Sequence, residues 1–176
     1  MNCSRRLKRG IIGGMVSILL IALDQYTKFL AVKYLRNQPN IVFWKGVFEL
    51  PYLENRGAAF GIMQGQKLFF VIFTSIAMIG IVWFFIKKIP EAPKYRFLDI
   101  ICVMLFAGGI GNLIDRVRLN YVIDFFYFSL IDFPIFNVAD IYVTVAAFAM
   151  IILGMFYYKD EDYDLIFPSK KEKGKK

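Results

Sequence analysis

At 176 residues the chain has the size of one domain or one compact membrane bundle, yet 58% of it is hydrophobic and 18% aromatic. That exceeds the roughly 45–50% usual in soluble domains and is more apolar surface than one small soluble core buries, which excludes disorder, a fibrous protein and an ordinary soluble globule. The net charge is +8 and there is no histidine, so Ser-His-Asp and Cys-His catalysis, histidine zinc sites and histidine-ligated haem are excluded as well.

In chain order, a run at 10–32 follows Arg5, Arg6, Lys8 and Arg9 and stays apolar up to Leu23, after which come Asp24, Gln25, Thr27 and Lys28. No small-x-small cleavage site follows it, so it reads as a retained membrane helix rather than a cleaved leader. Further spans of suitable length are expected at 68–86, 97–114 and 141–158. Ile41–Trp44 and Val47–Leu50 flank Lys45-Gly46, a two-residue hairpin signal. Tyr121–Phe128 and Phe133–Phe136 are aromatic and β-prone around Ser129–Asp132. The expected fold is a mainly α membrane protein: four transmembrane helices, with a small β-sheet element at the extracytoplasmic surface. A pair of irregular interfacial loops is the alternative to that sheet. The whole of 1–176 is expected to form one domain with outer loops at about 33–66 and 115–139.

Basic residues cluster before the first span, in the 87–96 connection and after Tyr158. By the positive-inside rule these three segments, and so both termini, are cytoplasmic. The tail Lys170–Lys176 reads as a solvated basic end with the option of touching anionic lipid. Cys3 and Cys102 match no ligand spacing and argue against a disulfide framework.

A helical rise of about 1.5 Å per residue converts position into depth. Asp115 and Asp140 both fall at the outer boundary of their spans, Asp124 lies in the connection between them, and Asp24 sits somewhat deeper. Ionisable groups at such depth are expensive and either pair or perform a function. Asp24 and Lys28, spaced i,i+4, are expected as a structural pair. Asp115-Arg116 can be plain helix-end charges, and Asp140 an N-cap. Asp124 stands between Val122-Ile123 and Phe125-Phe126, where carboxylates are depleted. Two close carboxylates share one proton, because both do not ionise easily together. The charged member can then activate water while the protonated one polarises a scissile carbonyl. Asp124 and Asp140 are the expected catalytic pair.

Five blocks in order resemble the lipoprotein signal peptidases, the signal peptidase II family of membrane aspartyl proteases. They are Asp24-Gln25-Tyr26-Thr27-Lys28; Asn55-Arg56-Gly57-Ala58-Ala59-Phe60; Gly108-Gly109-Ile110-Gly111-Asn112-Leu113-Ile114-Asp115-Arg116; Val122-Ile123-Asp124-Phe125; and Phe136-Asn137-Val138-Ala139-Asp140. The resemblance covers roughly 10–158 and leaves the Asp160–Lys176 end outside it. It implies an endopeptidase of the bacterial cytoplasmic membrane that removes the signal peptide from diacylglyceryl-modified prolipoproteins, cleaving before the lipidated cysteine. Asp124 and Asp140 would be its dyad, with no metal and no organic cofactor. Its partners would be those substrates and membrane lipids, with no nucleic acid, and the chain is expected to be monomeric.

Asn55, Gly57, Asn112, Arg116, Asn137 and Ala139 are the expected substrate-binding or supporting residues. Asn112 and Arg116, spaced i,i+4, would face the site together, with Arg116 also able to hold an ionised carboxylate. Gly57-Ala58-Ala59 would allow close chain approach. For Asn55 and Asn137, local structure such as a helix cap competes with a site role. Phe125–Phe128 can pack on acyl chains or form an interfacial belt. Two other classes remain: a small transporter lined by Asp24, Lys28, Asp115 and Arg116, and an assembly factor binding through its aromatic loops. A presenilin-like protease would need G-x-G-D, which is absent.

Overall fold

The computed structural model describes residues 3–57 and 65–168; Ala58, Ala59 and Phe60 of the second block and the whole Lys170–Lys176 tail lie outside them. Helix α1 (Cys3–Leu35) is 33 residues long, so the helix takes in the whole basic stretch Arg5–Arg9 rather than starting at Gly10. Arg9 accounts for part of this. Its guanidinium donates to the carbonyls of Phe85 and Ile89, near the end of helix α2 (Lys67–Lys87), so the charged turn is held against a neighbour. Helix α3 (Arg96–Leu119) packs against α1, α2 and helix α4 (Val138–Phe156), and so stands at the centre.

Glycine lets α3 occupy that position. A Cβ on Gly108 would lie 2.5 Å from the carbonyl oxygen of Ala139, and one on Gly111 would lie 2.5 Å from Asp24 Oδ2. Leu68, Phe69, Ile72, Phe73, Ile76 and Ile79 of α2 are exposed. Such an all-round apolar helix belongs in hydrocarbon. Among the described residues, α2, α4 and the stretch Pro93–Leu119 are apolar and long enough to cross a membrane. The expected span 10–32 lies within α1, which is not one of those three.

α3 does not stop at 114. It runs through Asp115-Arg116 to Leu119, and Asn120, with φ 70°, closes it while its N–H bonds the Arg116 carbonyl. The apolar run ends where charges begin, but Asp115 is buried and paired, so the helix continues past it. Likewise α4 starts at Val138, and its N-cap is Asn137 rather than Asp140.

The β element is smaller and differently paired than expected. Strands β1 (Ile41–Trp44) and β2 (Phe48–Leu50) form an antiparallel hairpin. Its loop has three residues, Lys45-Gly46-Val47, with Gly46 at φ 74° and the register irregular beside Trp44. β3 (Leu53–Asn55) pairs antiparallel with β4 (Val122–Asp124), opposing Leu53 to Asp124 and Asn55 to Val122. Glu49 and Tyr127 exchange backbone hydrogen bonds of 3.0 and 3.1 Å and join the two small sheets. Phe133–Phe136 is not a strand; only Phe136 bridges, to Phe126. Phe125 is buried with Ala31, Leu35 and Ile123, and Phe126 packs on Phe48 and Phe136, so these two rings face protein rather than lipid.

At the opposite end of the helices a seven-residue helix, α5 (Asp160–Ile166), folds back on the bundle. Ile166 joins a core with Tyr95, Ile101, Cys102, Ala146 and Tyr158. Asp162 accepts from the Lys159 N–H, the Tyr95 hydroxyl and the Lys94 ammonium. Those donors hold its carboxyl at about 2, below the ordinary 3.8. A depressed carboxylate stabilises the fold above its unfolded value and loses that contribution as pH falls through the folded one. Asp162→Asn is therefore expected to lower the melting temperature of the purified protein at pH 7. The gap to the parent should close between pH 3.8 and about 2; a gap that is constant over that range would contradict the clamp.

Candidate active site

The site forms where the sheet end of the bundle meets the first turn of α4. Asp124 ends β4, so its side chain direction follows from the pairing with Leu53. Asp140 is the third residue of α4 and closes a capping box: Asn137 Oδ1 accepts the Asp140 N–H and Asp140 Oδ2 accepts the Asn137 N–H, both at 3.1 Å. Capping and the site therefore use the same atoms, and the two readings of Asn137 do not compete. Asn137 Nδ2 donates to Asp124 Oδ1 at 2.6 Å and to Asn112 Oδ1 at 3.1 Å. Asn112 Nδ2 in turn donates to Asp140 Oδ1 at 2.8 Å. Two amides thus tie both carboxylates into one chain of hydrogen bonds.

On the other side of Asp124, Asn55 Nδ2 donates to Oδ2 at 2.8 Å, and Asn55 Oδ1 accepts the Gly57 N–H at 2.9 Å. Arg116 Nη2 reaches the Gly57 carbonyl at 3.4 Å, and its guanidinium lies 4.8 Å from the Phe70 ring centre. It forms no ion pair with a carboxylate among the described residues, so the expected grip on an ionised aspartate is absent. Asp124 is 1% exposed. Burial, and next the Asp140 carboxylate, push it up to about 7, against the opposing pull of the Asn55 and Asn137 amides and of Lys28. A carboxyl poised there is suited to proton transfer near neutral pH.

Asp124, Asp140, Asn112 and Arg116 line a cavity of about 400 Å³, together with Asn55 and Gly57. Phe133 to Phe136 cover one side, while Ile141, Thr144 and Val145 extend it along α4. The loop and α4 residues escaped sequence reasoning; the i, i+3, i+4 spacing of the last three was the available signal. Ala139 is not a lining residue. It is wholly buried, its N–H donates to Asp24 Oδ1 at 2.9 Å, and it fills the space beside Gly108 and Gly111.

Beneath this lies a second buried group. Lys28 Nζ is 3.0 Å from Asp24 Oδ2 and 2.8 Å from Asp115 Oδ2. Asp115 Oδ2 also accepts the Ile123 N–H at 3.3 Å, which ties it to β4. Gln25, to which the sequence assigns no role, donates to Asp115 Oδ1 at 3.0 Å and to the Gly111 carbonyl at 3.2 Å. These charges are closed on one another, and Asp24 is 0% and Lys28 1% exposed. That is not the lining of an ion path.

No group of three or more His, Cys, Asp or Glu side chains able to hold a metal occurs among the described residues.

The chain matches the family model described as signal peptidase (SPase) II over residues 16–156. Lipoprotein signal peptidases of Streptococcus pyogenes serotypes M5 (strain Manfredo) and M18 (strain MGAS8232) are each 42% identical over 146 residues, covering 83% of this chain and 92% of theirs. A solved bacterial membrane enzyme, determined by the in meso method at 2.3 Å, superposes with a TM-score of 0.74 at 31% identity, over 92% of this chain and 93% of that one. A second, at 1.9 Å, gives 0.72 at 32% identity over 84% and 94%. With the family match spanning most of the helices and the site between them, the chain belongs to the signal peptidase II family of aspartic peptidases.

Proposed function

We propose that this enzyme removes the signal peptide from diacylglyceryl-modified bacterial prolipoproteins, cleaving before the lipidated cysteine, with Asp124 and Asp140 as the catalytic dyad. The observation that carries the reading is that both carboxylates line one cavity and are joined through Asn137 and Asn112 in a member of this family. With Asp124 raised to about 7, the pair retains one shared proton near neutrality. The ionised carboxylate draws a proton from water, which attacks the scissile carbonyl. The protonated one gives its proton to the carbonyl oxygen as the tetrahedral diol forms. The carboxyl that took the water proton then passes it to the leaving amine, while the diol returns a proton to the other carboxylate as the carbonyl re-forms. Nothing in this scheme calls for a metal or an organic cofactor. Arg116 and Asn55 lie beside the reacting groups and supply donors for the substrate backbone.

In this reading α1 is the fourth span, the basic segments at the α5 end face the cytoplasm, and the dyad sits near the outer face as a monomer in the lipid. The exposed apolar side chains Ile141 and Val145 at the α4 side of the cavity suit a substrate whose signal helix and acyl chains arrive within the bilayer. The test compares a diacylglyceryl-modified prolipoprotein with its unmodified form, both with and without a chelator. Cleavage is expected of the lipidated precursor only, unchanged by chelation. Equal processing of both forms would remove the lipid from the proposed substrate class, and no processing of either would remove the activity.

A further inference from the structure

We infer that Lys28 is a positioning residue for the dyad: by occupying the oxygen of Asn112 it dictates which end of the Asn112 and Asn137 amides faces the two carboxylates. The inference rests on the dyad proposed above and goes beyond the structural pairing of Lys28 with Asp24.

An ammonium has three N–H donors and accepts nothing. Two of the donors of Lys28 are taken by Asp24 Oδ2 at 3.0 Å and Asp115 Oδ2 at 2.8 Å, which already neutralise its charge in the bundle. The third goes to Asn112 Oδ1 at 2.9 Å. That contact has a chemical consequence. An amide atom this close to an ammonium has to be the oxygen, because a second donor there would be repelled. The nitrogen of Asn112 is then left facing Asp140 Oδ1, 2.8 Å away.

The remaining lone pair of Asn112 Oδ1 accepts from Asn137 Nδ2 at 3.1 Å, which directs the other N–H of that amide to Asp124 Oδ1 at 2.6 Å. Asn137 Oδ1 is at the same time held by the Asp140 N–H. Donation thus runs one way, from Lys28 to Asn112 and from both amides onto the dyad. Each catalytic carboxylate receives an N–H from below on one oxygen and a second donor, Asn55 or the Asn137 N–H, on the other, and the lone pairs left over are those open to water and substrate. Without the ammonium, the Asn112 amide can rotate by half a turn. Its oxygen would then face Asp140, which loses a donor while it is ionised and gains an acceptor while it is protonated.

The experiment uses the full chain in detergent or bilayer, with a diacylglyceryl-modified precursor as substrate. Lys28→Met alone would strand Asp24 and Asp115 as buried like charges, so it is paired with Asp115→Asn, which keeps the net charge of the group unchanged. The folded Lys28→Met/Asp115→Asn protein is expected to lose kcat by about 10²-fold, as small misplacements of catalytic groups do, with KM held within about twofold. The acid limb of its pH profile should move to higher pH. The charged groups facing the dyad that bear on this limb are Asp24, Asp115 and Lys28 below, and Arg116 at the side. Asp115→Asn alone, which leaves the contact between Lys28 and Asn112 in place, should keep kcat within about threefold of the parent.

The decisive measurement is a double-mutant cycle. In an Asn112→Ala background the same Lys28 pair should cost no further kcat, because the residue through which it acts is gone. Additive losses, or a folded Lys28 pair with the parent's kcat and pH profile, overturn the inference. Should that pair not accumulate, Asp24→Asn/Lys28→Met is charge-matched in the same way and yields the same readouts. Asp124→Asn, measured alongside, separates the two failures. If it retains full cleavage the proposed dyad falls; if it is inactive while the Lys28 pairs behave as the parent, only the role of Lys28 falls.

Discussion

Asp124→Asn and Asp140→Asn are each expected to lower kcat by roughly 10²–10⁴-fold, the range that a positioned acid or base supplies. Both variants should still insert and fold, but they should not be equal in stability. Asp140 Oδ2 accepts the Asn137 N–H in the capping box of α4 while Oδ1 accepts the Asn112 amide. An amide there keeps one acceptor oxygen for the two donors and weakens a cap whose full loss costs about 0.5–2 kcal/mol. Asp124 pairs with two amides and caps nothing. The Asp140 variant should therefore melt lower than the parent while the Asp124 variant changes less. In the parent, activity should fall as pH rises through about 7, where Asp124 gives up its proton, and fall again in acid where both carboxyls are protonated. Full processing by either variant, in a preparation shown to be folded, would refute the dyad. So would a flat pH profile measured where chemistry limits the rate, for the shared proton.

The second large effect concerns stability rather than rate. Asp115→Ala should cost roughly 3–5 kcal/mol, because it breaks a buried ion pair and leaves the donors of Lys28, Gln25 and the Ile123 N–H without the acceptor they share. At some 2–4 °C per kcal/mol for a chain of this size, the melting temperature should drop by at least about 6 °C. The comparison is Arg36→Ala, which breaks a 3.2 Å contact with Glu54 between half-exposed side chains; pairs of that kind contribute about 0–1 kcal/mol. If the two substitutions shift melting equally, the buried cluster is not a major stabilising group.

What could be read in the sequence follows from how local each signal is. The apolar runs placed the helices, since twenty oily residues admit few other arrangements. They misplaced the ends, because a run is interrupted by charge whereas a helix is interrupted by backbone geometry. Asp115 and Arg116 continue α3, and only Asn120, in the left-handed region, stops it. Strand β3 carried no usable pattern: three residues, Leu53-Glu54-Asn55, whose partner lies nearly seventy positions on. The polar residues of the site stood out because each sits in apolar company. Which of them touch did not, because hydrogen bonds such as Gln25 to Asp115 and Lys28 to Asn112 span more than eighty residues. Asn137 illustrates both: the cap is local and legible, whereas the bond to Asp124 requires the folded chain.

The near-contact of α3 with α4 at Gly108 and Ala139 bears on how differently shaped precursors are admitted. Two backbones already this close cannot approach further, and parting them would break the bonds by which Asn112 of α3 holds Asp140 and Asn137. The wall bearing the acids is therefore a fixed anvil. Among the described residues, the Phe133–Phe136 segment lines the same cavity without carrying an acid, so swapping that short segment between related enzymes should retune preference without disturbing the chemistry.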